Sequence, residues 1–292
     1  MKITLLGSLG NINQHYIPRL IAEGHEVTVI SSKADRAAEI EKMDAHAAIG
    51  SNRDLEFLIN TFKGSDVVYL MVSGGTPTQD MAKDAQILGE IYSQAVKISG
   101  VKKVVNLSSV GADVKEAGIL YSYHFIEEAL NALEGVNVRH IRPVGFYTNL
   151  FSELATIKAS QTIFEPVAID TVRAWVYPTD IADVVCESLT QAFIDKSVQY
   201  VVSDWVTGND WIQALRTVGL EVTYQQVAIE TVEDTMRKSG FSESNVAGFA
   251  QLNRVQQNPE QFYKAIKNSD YHLGKVKVAD FAKIFIKKYQ NQ

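Results

Sequence analysis

The chain has 292 residues, 46% of them hydrophobic and 21% charged, with a net charge of −6. That composition belongs to a globular protein with one large domain, or a core domain and a smaller lobe. An acidic balance without a basic stripe excludes a nucleic-acid partner, and the absence of any bilayer-length apolar run excludes a membrane span.

The N-terminal apolar run, residues 3–6, stops within a few residues and is followed by no small-residue cleavage site. It reads as a first strand and not as a signal peptide, and a cytoplasmic protein is expected. Further valine- and isoleucine-rich runs lie at 27–30, 46–49, 67–72, 104–107, 138–141 and 200–202. They are mostly continuous, the pattern of strands covered by helices on both faces. Helical periodicity fills the gaps, as in residues 81–98 with Ala82, Ala85, Leu88, Ile91, Tyr92 and Ala95. The alternation predicts an α/β fold, a doubly wound parallel Rossmann sheet with strands in the order 3-2-1 and then 4, 5 and 6 on the other side.

The lone cysteine, Cys186, excludes an internal disulfide. In the apolar stretch 181–186, with no cation beside it, it reads as a buried structural thiol on a helix. Beyond about residue 206 strand runs become scarce. Asn258-Pro259-Glu260-Gln261 reads as an N-cap, a proline at the first helical position and a capping-box partner. Val278, Phe281, Ala282 and Phe285 share one helical stripe that serves packing. The expected organisation is a Rossmann domain of residues 1–148 and about 170–205, with a mainly helical C-terminal lobe of about 149–169 and 206–292.

The first strand runs straight into Gly7-Ser8-Leu9-Gly10-Asn11-Ile12-Asn13, an amphipathic helix follows, and a second strand comes about twenty residues later. In that position the glycine spacing points to a dinucleotide site. Gly7 would allow the tight turn, and Gly10 would let the backbone approach a pyrophosphate resting on the helix N-terminus. Gly7, Leu9, Gly10, Asn11 and Ile12 are therefore candidate cofactor contacts. Asn13 stands where the fingerprint has its third glycine, and it either pushes the helix outward or bonds locally. After the second strand come Ser31, Ser32 and Lys33, with Arg36 a turn on, in place of the carboxylate that binds the ribose hydroxyls of NAD. Hydroxyls and a cation suit a 2′-phosphate, so NADP(H) is expected over NAD(H).

Together these pieces resemble, in order and nearly end to end, the NmrA-like group of atypical short-chain dehydrogenases/reductases. The resemblance rests on the glycine loop, Gly64-Ser65-Asp66-Val67-Val68, Asn106-Leu107-Ser108-Ser109-Val110-Gly111-Ala112, Ile141-Arg142-Pro143, Tyr177-Pro178-Thr179-Asp180-Ile181-Ala182 and Leu273-Gly274-Lys275. It implies a cofactor that also touches Val72, Ser73, Gly74 and Ser108, with Pro143 to Phe146 passing the nicotinamide end.

Short-chain reductases carry a tyrosine acid and a lysine four residues later on the helix after strand five. Here Phe125 follows Tyr121 at that spacing and Glu127 follows Tyr123, so the dyad is absent. The pairs Tyr263/Lys267 and Tyr271/Lys275 have the spacing but lie in the C-terminal region. His124 is the candidate proton donor; alternatively it holds the nicotinamide ribose or serves structure alone. Phe146, Tyr147 and Trp175, with Phe151 and Tyr177, either line an apolar substrate slot or pack the lobes together. The six histidines show no metal-ligand spacing, so no metal is expected. Two functions fit: an NADPH-dependent reductase of a small conjugated acceptor such as a quinone, or an NADP(H) sensor acting through a regulatory protein partner. An open slot beside the nicotinamide favours the first.

Overall fold

A computed structural model describes residues 1–72 and 76–291. The predicted strands form as β1 (Lys2–Leu5), β2 (Glu26–Ser31), β3 (His46–Ile49), β4 (Val67–Met71), β5 (Lys103–Leu107) and β6 (Asn137–Pro143). Short strands follow: β7 (Gly145–Phe146), β8 (Thr162–Glu165), β9 (Arg173–Val176), β10 (Lys196–Val202), β11 (Asp204–Val206), β12 (Thr223–Gln226) and β13 (His272–Leu273).

Eight of these make one sheet in the order β13-β10-β6-β5-β4-β1-β2-β3, every pair parallel. This is the doubly wound Rossmann order read from the sequence, extended by two strands. Its cause is the apolar load on both faces. Ile3, Leu5, Val27, Val29 and Tyr69 pack with the helices Asn13–Ala22 and Pro178–Thr190. Leu6, Ile30, Val68, Leu70 and Val104 pack with Leu55–Phe62, Met81–Ser99 and Tyr123–Asn131. Cys186 is buried in the first of these layers, where burial raises its thiol pKa.

Two local features differ from the sequence reading. β13 returns the C-terminal region to the sheet through two residues paired with Val201 and Val202, a stretch too short for periodicity to reveal. The segment before Tyr123 is a 3-10 helix, Lys115–Ser122, interrupted at Gly118 (φ +59°, ψ −115°). A Cβ at Gly118 would strike the Gly248 carbonyl, so glycine there admits the close approach of helix Glu243–Gln256. The C-terminal aromatic stripe packs as expected: Phe281 and Phe285 are fully buried against Tyr147, Phe151 and Trp211. Asn258 caps its helix by accepting from the Gln261 amide. No helix among the described residues is long and apolar enough to cross a membrane.

Candidate functional site

β1 delivers the chain to the glycine loop. Gly7 has φ +95°, and a Cβ there would collide with the Met71 sulfur, so fold alone requires glycine. The Ser8 amide donates to the Ile30 carbonyl at 3.1 Å, and the Gly10 amide donates to Gly7 at 3.1 Å. A Cβ at Gly10 would meet only the Gly7 carbonyl, at 3.0 Å, and otherwise faces open space.

Asn13 bonds locally. Its buried amide donates to the carbonyls of Leu6 (2.7 Å) and Ser8 (2.9 Å), and its oxygen accepts from the Tyr16 hydroxyl (2.9 Å). The asparagine thus ties strand, loop and helix together by hydrogen bonds where a glycine would do so by close packing.

Over this loop lies a cavity of about 330 Å³. Gly7, Ser8, Leu9 and Gly10 form one wall; Ser31, Ser32, Lys33 and Arg36 form another; Gly50, Asn52 and Met71 complete it. Of the remaining loop candidates, Asn11 is exposed outside this lining and Ile12 is buried in the core. The Ser31 hydroxyl accepts from Ser8 and from the Lys33 amide, and it donates to the Lys33 carbonyl, so it fixes the turn. Ser32 and Lys33 are exposed, and the Lys33 ammonium makes no hydrogen bond or ion pair among the described residues. Arg36 pairs with Glu39 at 2.5 Å. Backbone amides at a helix N-terminus suit a pyrophosphate, and the Lys33 side suits a further phosphate.

Ser108, at the end of β5, is arranged differently. Its hydroxyl is buried and donates to Glu127 at 2.5 Å. Glu127, four residues after Tyr123, is gripped by Arg142, through Nε at 2.9 Å and Nη2 at 2.6 Å. The Arg142 Nη1 reaches Asp113 (2.6 Å) and the Tyr200 hydroxyl (2.9 Å). Burial alone would raise the Glu127 pKa, but the Arg142 bond and the nearby His140 and Arg142 hold it below the ordinary carboxylate range. Burial pushes neighbouring His140 down to about 4. That neutral ring receives the Asn106 amide at Nδ1 and donates from Nε2 to Asn131.

His124 is not part of the glycine-loop cavity. It stacks on Tyr121 (4.6 Å between ring centroids) and lines a polar cleft with Asp113, Lys115 and Glu128. Tyr147 and Trp175 stack on one another, and Tyr147 also stacks on Phe281; the space among them is only about 10 Å³. Phe146 is half-buried against the main core. Pro143 is buried at the end of β6, and Ser73 and Gly74 lie outside the described residues. Val72 lines a third cavity, of about 370 Å³, with Met81, Tyr123, Phe241 and Phe249.

Sequence reading missed Gly50, Asn52 and the Glu127–Arg142 cluster. The first two follow the run 46–49, where a turn glycine was the only cue. The cluster had a stronger one: an arginine among the apolar residues of β6 and a carboxylate four residues after Tyr123.

The sequence matches the profile of a family described as NAD(P)H-binding over residues 7–192. No curated protein matches it. Among solved structures it is similar to a nucleoside-diphosphate-sugar epimerase from Staphylococcus aureus, at 16% identity and TM-score 0.79, covering 97% of this chain and 100% of that one. It is also similar to the Escherichia coli NADPH-dependent quinone oxidoreductase solved with NADPH, at 15% identity and TM-score 0.77, covering 97% and 99%. A third is the Citrobacter sp. triphenylmethane reductase solved with NADP(H), at 16% identity and TM-score 0.78, covering 98% and 100%.

Proposed function

The chain belongs to the NAD(P)H-binding family, with neighbours that fit an NmrA-like atypical short-chain reductase, and from that premise we propose that it is an NADPH-dependent reductase of a small conjugated acceptor such as a quinone. The observation that carries the reading is the third cavity. Its volume is in the range of small-ligand pockets, its walls are largely apolar and aromatic, and Val72 places it at the carboxyl end of β4.

The residues of the glycine loop fit a dinucleotide: the face of Gly10 is open, the helix N-terminus offers amides, and Lys33 offers an unpaired cation. When bound, a reduced nicotinamide supplies the hydride. Gly7 and Asn13 hold the loop, Ser32 and Lys33 select the 2′-phosphate, and the cavity walls orient the acceptor. Glu127 and Arg142 neutralise one another, so no lysine-activated tyrosine delivers a proton. A quinone tolerates this, because its reduced anion is delocalised and takes its proton from water.

The closed Tyr147–Trp175 stack favours a second reading, an NADP(H)-responsive regulator of a protein partner. NADPH oxidation followed by absorbance across a panel of quinones and dyes separates the two. Turnover with at least one acceptor is expected; tight NADPH binding with no oxidation by any of them would leave the regulator.

A further inference from the structure

The acceptor cavity contains one charged residue among its described lining, and that residue is a carboxylate. Asp84 sits in the first turn of helix Met81–Ser99, and its side chain is 11% exposed. Both bonds it receives, from Arg53 and from the Gln79 amide, go to Oδ1. No described residue donates to Oδ2. A nearly buried carboxylate thus borders an aromatic cavity with one oxygen that accepts from no described residue. Around it stand the rings of Tyr123, Phe241 and Phe249, whose faces attract positive charge.

Resting on the reductase reading, we propose that the acceptor is an aromatic organic cation with delocalised charge, held by Asp84 and these rings. Electron bookkeeping agrees with the rest of the site. The cationic carbon gains a hydride with its electron pair, a C–H bond forms, the nicotinamide is oxidised, and the product is neutral. No proton is required at any point, so the loss of the tyrosine–lysine dyad costs this reaction nothing. The product also loses the charge that Asp84 recognises, which favours its release.

Arg53 compensates part of the Asp84 charge from outside the cavity, since it contacts Oδ1 and does not line the walls. Cation recognition therefore relies on Oδ2 and the ring faces together.

Binding of a cationic triarylmethane dye and of its neutral leuco form is measured by fluorescence and absorbance titration without cofactor. NADPH oxidation by the dye and by a neutral naphthoquinone is measured in parallel. The wild type should bind the cation at least tenfold more tightly than the leuco form. Asp84→Asn and, independently, Phe249→Leu should each lower the ratio of cation to leuco-form affinity about tenfold. Equal binding of both forms, or equal losses for both in the variants, overturns the proposal. Charge-selective binding without NADPH oxidation by either acceptor would support the cation site and sink the reductase reading. Quinone turnover without charge selectivity would do the reverse.

Discussion

The glycine loop and the Ser108 cluster, both at the carboxyl edge of the sheet, use their polar groups in opposite ways. At the glycine loop, buried Asn13 and Ser31 bond to neighbouring neutral groups, and Lys33 lines an open cavity. At Ser108 a buried carboxylate and guanidinium are satisfied by their neighbours: Ser108 bonds to Glu127, Glu127 to Arg142, and Arg142 to Tyr200 and the exposed Asp113. The first arrangement leaves charge for a ligand, and the second consumes it internally. One Rossmann sheet thus carries an open polar loop and, a few strands away, an electrostatic brace.

Arg142→Met should break that brace. It strands the Glu127 carboxylate in the interior, and losing one partner of such a buried pair costs about 3–5 kcal/mol. Urea denaturation should register that loss, while NADPH affinity of the folded fraction stays near wild type. The pH dependence has a definite sign. The Glu127 pKa is depressed in the folded state, so its contribution is present above the unfolded carboxylate pKa and is lost as pH falls through the lower folded value. In the wild type this component should disappear only under acid conditions. In Arg142→Met it should be absent at neutral pH.

Asn13→Gly probes the glycine loop. The change supplies the glycine of the usual fingerprint, yet it removes the partners of two carbonyls and a tyrosine hydroxyl in one step. A loss of about 2–3 kcal/mol in stability is expected, with a weaker NADPH complex. Stability equal to wild type would show that close packing replaces the hydrogen bonds.

A smaller effect is expected at Lys33. Lys33→Ala should weaken NADPH by about 1–2 kcal/mol, the scale of one charge-assisted bond at an exposed site, and leave NADH unchanged. Isothermal titration of both cofactors checks this; equal losses for the two would remove the 2′-phosphate assignment.

These contrasts mark what a sequence can carry. Strand order and the glycine loop were legible because they rest on local signals: apolar runs of strand length, and a glycine pair after the first strand, of which Gly7 is required by the backbone itself. Asn13 could be read only as a departure, since its three partners become neighbours once the loop has folded. Glu127 and Arg142 lie fifteen residues apart, and their pairing depends on helix Tyr123–Asn131 lying against β6. The acceptor cavity was harder still. Its walls come from the end of β4, two helix starts and the region of helix Glu243–Gln256, so no stretch of chain announces it, and of the aromatic residues singled out near β7 and β9, Tyr147 and Trp175 take the packing role that was one of their two readings.

The claim beneath the whole account is that a dinucleotide lies across the glycine loop. Titration calorimetry of NADPH into wild-type protein and into Gly10→Val tests it most directly, because Gly10 has open space on its ligand side and its backbone needs no left-handed conformation. The wild type should bind with one-to-one stoichiometry, and Gly10→Val, shown to be folded by circular dichroism, should give no measurable heat. Unchanged NADPH affinity in the folded variant would contradict the assignment of the site.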